Sequence, residues 1–194
     1  MSAEASDAPV PAAGPAATKP ARRARWRKAL RVLAGVLLLG LVLPAPMRIP
    51  VEGASASAWN PASFWYEPWG PSGVHKGIDI FAPKGRAVRA ASAGVVVYTG
   101  ELAQGGRVVL VLGARWRLHY YAHLDSIDAR WGQPVAGGTR LGTVGDSGNA
   151  RGKPPHLHYS VLSLLPYPWR WDGATQGWRK MFYLDPGALL SADR

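Results

Sequence analysis

The chain has no cysteine among its 194 residues. That excludes disulfide frameworks, thiolate metal sites and cysteine nucleophiles, so any metal must sit on His, Asp or Glu. Acidic residues are scarce, twelve against twenty-three Lys and Arg, which leaves a net charge of +11. Long apolar runs are also missing. The apolar run ahead of the folded part, 32–46 (VLAGVLLLGLVLPAP), has fifteen residues against the ~17 or more needed to span a bilayer. No H-E-x-x-H helix motif occurs, so the commoner zinc-protease pattern is absent. No lysine lies between Lys84 and Lys153, which removes the attachment residue that a lipoyl- or biotinyl-carrier hairpin would need.

The positive charge is uneven. Residues 1–50 hold eight basic residues against Glu4 and Asp7, whereas residues 51–194 hold fifteen against ten. More than half of the excess therefore lies in the first quarter of the chain, mostly just ahead of the apolar run, a membrane-topology pattern before it is a nucleic-acid one, and no nucleic-acid partner is expected. With Ala29 and Leu30 added, and Arg31 snorkelling, the run reaches the lower limit of a span. The expectation is a disordered basic cytoplasmic tail over 1–28 and a single transmembrane signal anchor over 29–46. The rest of the chain would be exported across that membrane. The alternative, a cleaved signal peptide, has its first small-x-small sites at 54–58, far beyond the apolar run.

From residue 51 the pattern changes. Glycine and proline total forty over the whole chain, and here turn signals separate short β-rich runs at 77–81, 95–98, 108–112, 118–121 and 157–162. An all-β domain follows, a compact antiparallel sandwich or partly closed barrel. Segments 59–70 and 167–178 hold six of the nine tryptophans outside those runs. They either line a groove or cover the ends of the sheet.

Four of the five histidines fall into patterns with chemical meaning. His75-Lys-Gly-Ile-Asp79 sets an imidazole and a carboxylate four apart, with Gly77 between them to turn the backbone. His156-Leu-His158 sets two imidazoles on one face of a strand. Tyr121-Ala-His123-Leu ends another strand on a single imidazole. Hydrolytic zinc uses three protein ligands and one open position, where it acidifies water and polarises a carbonyl. Further imidazoles can then move protons or stabilise an oxyanion.

These motifs, with Ala91-Ser-Ala-Gly-Val-Val, Leu141-Gly-Thr-Val-Gly-Asp-Ser-Gly148 and Leu184-Asp-Pro186, occur in an order that resembles the lysostaphin-type, LytM-like metallopeptidases of family M23 over about 69–190. The resemblance implies a zinc endopeptidase that cuts peptide cross-links of bacterial peptidoglycan, with one zinc per domain. It implies His75, Asp79 and His158 as metal ligands, and His123 and His156 as the unliganded catalytic pair, general base and oxyanion stabiliser, with no division of labour between them. His119 matches no position of the set. The family also contains non-catalytic members that regulate other hydrolases or bind walls. Ser160 stands where relatives often carry Glu, and Arg151 and Lys153 mark the loop before His156. The implied partners are peptidoglycan stem peptides, the membrane through the anchor, and an unidentified regulator. Residues 47–68 would be a linker and 191–194 a tail.

Overall fold

A computed structural model describes residues 19–192. They fall into two units that divide at Leu39 and Gly40. The first carries most of helix α1 (Lys19–Val42). The second is a mostly β domain that ends in helix α2 (Pro186–Ala192).

The transmembrane anchor expected over 29–46 is not borne out. No helix among the described residues is long and apolar enough to cross a membrane. The physical reason lies in where α1 starts and stops. It ends at Val42, so Leu43 and the two prolines that follow add nothing to it. Its uncharged part, 32–42, rises only about 16 Å against a hydrocarbon core of ~30 Å. Extending the stretch back to eighteen residues, 25–42, brings in Arg25, Arg27, Lys28 and Arg31. Residues 19–28, expected as disordered, belong to this helix; the tail over 1–18 lies outside the described residues.

The β domain is one branched, open sheet. Its main path runs β1 (Ile78–Phe81), β8 (His156–Ser163), β5 (Arg117–Ile127), β4 (Gly106–Gly113), β3 (Gly94–Leu102) and β6 (Pro134–Val135). Strand β7 (Arg140–Val144) branches from β5 and pairs with β2 (Ala87–Arg89), and β9 (Tyr183–Leu184) edges β8. All pairings are antiparallel. The sheet does not close, so the expected partly closed barrel is corrected to an open sheet. Its eleven-residue strand β5 carries three neighbours, β4, β7 and β8, instead of returning to β1.

Period-two patterning decides which side of each strand is buried. On β8, Leu157, Tyr159 and Val161 enter the core, as do Tyr121 of β5 and Val109 and Val111 of β4. Each such side chain contributes about 1.5–3 kcal/mol by leaving water. Met47, Val51 and Trp59 join the same core, so much of the segment expected to be a linker over 47–68 is packed domain. The alternate residues of β8 (His156, His158 and Ser160) are thereby left to the other face of the sheet.

Candidate metal centre

Strand register brings the chemistry together. Asp79 on β1 lies directly opposite His158 on β8, and Phe81 lies opposite His156. On its other side β8 pairs with β5, setting Ala122 against His158 and Tyr120 against Ser160. Paired residues share a face, so even-numbered positions of this part of β5 look toward the site and odd-numbered ones toward the core.

His119 and Tyr121 obey that rule and are buried. His123 has the same parity and should have followed them. It escapes because the β4–β5 register slips between Arg107 and Val109, and because its own φ is +63°. A left-handed histidine costs about 1–3 kcal/mol. The bulge turns its ring toward the site, 5.1 Å from His156 and 5.9 Å from His158, centroid to centroid.

His75 reaches the site from the loop before β1. Its Nε2 lies 3.1 Å from Asp79 Oδ1 and 3.1 Å from His158 Nδ1, and His158 Nδ1 lies 2.9 Å from Asp79 Oδ1. These three donors form the one His/Asp/Glu group of the described residues close enough to share a metal ion. The fit can be tested on this geometry. Donors 2.0–2.1 Å from a tetrahedral ion stand about 3.3 Å apart, and all three separations fall just inside that edge. Each imidazole is also held from behind. His75 Nδ1 donates to the Ser63 carbonyl at 2.9 Å, which in the neutral ring leaves Nε2 its lone pair, and His158 Nε2 meets Ser160 Oγ at 3.0 Å. Such outer partners orient metal-binding imidazoles. The three residues therefore fit a metal.

Burial alone would raise the Asp79 carboxyl, but the adjoining imidazoles of His158 and His75 outweigh it and hold the group well below the ordinary carboxylate range. His158 is pushed down by burial, against the opposing pull of Asp79. Both groups thus sit in the protonation state a metal requires.

The two remaining histidines flank this point with one nitrogen free. His123 Nδ1 donates to the Ser147 carbonyl at 2.9 Å, and His156 Nδ1 to the Pro154 carbonyl at 2.8 Å. Each Nε2 is left facing the site, that of His156 at 3.9 Å from Asp79 Oδ2. Burial, with the neighbouring His158 and His156, pushes the His123 imidazole down to about 4, so it is neutral at ordinary pH.

Several contributors were not foreseen. Trp69 stacks on the His75 ring at 4.1 Å between centroids. Ser160 takes over the hydrogen bond behind His158, a role its i+2 position on the strand could have signalled. The backbone bends at Gly77 just before β1, without a positive φ. A Cβ there would meet the Tyr159 carbonyl at 2.4 Å and Ser160 Oγ at 2.5 Å, so the residue is small because β8 passes close by. His119 lies on the core side, hydrogen-bonded to Tyr159 Oη at 2.7 Å and Ser92 Oγ at 3.1 Å.

With this geometry in place, comparison with known proteins is specific. Residues 73–165 match peptidase family M23. They are a peptidase family M23 domain. The chain is 40% identical over 88 residues to the DD-carboxypeptidase/endopeptidase Mpg of Neisseria meningitidis, a match covering 45% of this chain and 20% of that protein. It is 33% identical over 138 residues to the L-Ala–D-Glu endopeptidase of Bacillus subtilis, covering 63% and 41%. The catalytic domain of the antimicrobial peptidase lysostaphin from Staphylococcus simulans superposes with a TM-score of 0.52 at 25% identity, over 64% of this chain and 85% of that one. The chain thus spans about a fifth to two fifths of these two curated relatives.

Proposed function

We propose that the M23 domain is a zinc endopeptidase that hydrolyses peptide cross-links of bacterial peptidoglycan. The observation that carries this is the convergence of His75 Nε2, Asp79 Oδ1 and His158 Nδ1 within 2.9–3.1 Å, flanked by two histidines whose Nε2 atoms are free. Two relatives with endopeptidase names support the substrate class.

In this proposal His75, Asp79 and His158 hold the zinc, and His123 and His156 do the proton work. When bound, zinc supplies Lewis acidity, which makes water nucleophilic near neutral pH and polarises a peptide carbonyl. The chain provides the rest. One flanking Nε2 accepts the proton of the attacking water and passes it to the departing amine. The other stabilises charge on the carbonyl oxygen as the imidazolium, its Nε2 protonated in addition to the tethered Nδ1. Tethering each Nδ1 to a backbone carbonyl fixes the ring and the tautomer, so neither nitrogen has to be organised as the reaction proceeds. Exposed Phe81, 5.4 Å from the His156 ring, offers an apolar shelf at one end of the site. The working domain faces the cell wall in this account.

Mass spectrometry of muropeptides tests the proposal, after the purified chain is incubated with walls of known cross-link type. New monomeric stems that disappear on chelation and return with zinc are expected. Unchanged cross-linking in every wall type would overturn it.

A further inference from the structure

The second aromatic segment is not absorbed by the metal centre. Trp169, Trp171 and Trp178 are 77%, 67% and 50% exposed, whereas Trp59 of the first segment is 6% exposed in the core. Exposed tryptophans on a loop need an explanation, and here the loop is braced. Tyr167 N donates to the Met181 carbonyl at 2.8 Å and Arg170 Nε to the Lys180 carbonyl at 3.1 Å, joining the two halves of the segment. Lys180 pairs with Asp172, whose backbone lies so close to Gly177 that a Cβ there would meet its carbonyl at 2.1 Å. The indoles therefore stand on a pre-organised frame, which lowers the entropy lost when a ligand docks.

That frame is continuous with the wall of the metal centre. Trp65 Nε1 donates to the Thr175 carbonyl at 3.1 Å, and Gln176 Nε2 to the Ser72 carbonyl at 2.9 Å. Trp65 N in turn donates to the carbonyl of His75 at 2.7 Å. Whatever lies across the exposed indoles thus runs beside the loop that carries His75.

We propose that Trp169, Trp171 and Trp178 form a docking surface for the glycan strand of peptidoglycan, a polymer of amino sugars. This rests on the reading that the metal centre cuts stem peptides, because those stems hang from that strand and enter the site together with it. Sugar rings present apolar C–H faces that match indole, while hydroxyl and acetamido edges suit the polar groups around them. Continuity with the metal centre favours this occupant over an anionic lipid surface, because the frame is hydrogen-bonded to the loop that carries His75. Of the segment's basic side chains, Lys180 pairs with Asp172 and Arg179 stacks over Trp178 at 5.2 Å.

The experiment measures binding of the full chain to peptide-free glycan strands and, in parallel, to phosphatidylglycerol vesicles. A second arm compares cleavage of insoluble walls with cleavage of a soluble cross-linked stem-peptide dimer. The parent should bind strands and not vesicles. The triple variant Trp169→Ala/Trp171→Ala/Trp178→Ala should lose strand affinity about tenfold or more, as truncated tryptophan anchors do. It should also cleave walls more slowly while cleaving the soluble dimer at the parent rate. Strand binding equal in parent and variant, no strand binding by the parent, or vesicle binding in its place would overturn the proposal. The binding arm needs no hydrolysis, so its failure is distinguishable from failure of the peptidase reading.

Discussion

Strands β5 and β8 carry histidines on both faces, and the two faces treat them differently. On the outer face, His156 and His158 spend one ring nitrogen on structure and turn the other toward a common point with Asp79, His75 and His123. On the inner face, His119 spends both. Its ring lies between Ser92 and Tyr159, and Tyr121, at the end of the same core cluster, accepts the backbone N–H of Ala91 at 2.8 Å. A histidine with a nitrogen left over can bind a metal or a proton in transit; one with both nitrogens bonded specifies packing. Parity along the strand decides which fate applies, and His123 changes fate only through the bulge that breaks parity.

The largest expected effect comes from removing a ligand. His75→Ala or Asp79→Ala should lower hydrolysis on the order of 10³-fold or more, because the site then has too few donors to retain zinc. Steady-state cleavage of walls checks this; near-parent rates would break the comparison on its outer face. His123→Ala and His156→Ala should each lose roughly 10²- to 10⁴-fold in rate, the range for a general acid–base group, without losing metal. Behind the ligands, Ser160→Ala should weaken zinc binding by about tenfold, the lower end for an outer-shell partner. Competition with a chelator of known affinity measures it.

The inner face should give no catalytic effect and a clear effect on stability. Burial, aided by Arg117, pushes His119 down to about 4. An unfolded histidine takes up a proton near 6.5, so between pH 6.5 and 4 the unfolded chain binds the extra proton. The stability that neutral His119 contributes is then complete above pH 6.5 and lost as the pH falls toward 4, by about 3 kcal/mol. Denaturant unfolding across this range should show the loss, and His119→Gln should remove its share, leaving that of the buried His123 and His158, while leaving the rate of hydrolysis unchanged.

Much of this was legible from residues alone. The spacing His75-x-x-x-Asp79 and the His156-x-His158 pair name the groups that the register Asp79 opposite His158 brings together, because strand alternation is a local property. The β-rich runs locate most long strands for the same reason. Strand branching is not local, and neither is the bulge that redirects His123; both depend on which strands become neighbours. The transmembrane expectation failed on an element boundary. Composition marks an apolar run but does not say that its helix stops at Val42, and that stop leaves the run too short. The supporting partners behind each imidazole were hidden because three of them, at Ser63, Ser147 and Pro154, are backbone carbonyls with no sequence signature.

Metal analysis of three purified chains, the parent, His158→Ala and His156→Ala, tests the central claim most directly. The two histidines lie two residues apart on one strand face, yet one is assigned to the metal and the other to the proton. About one zinc per chain is expected in the parent and in His156→Ala, and almost none in His158→Ala. Equal zinc in both variants, or its loss from both, would contradict the account.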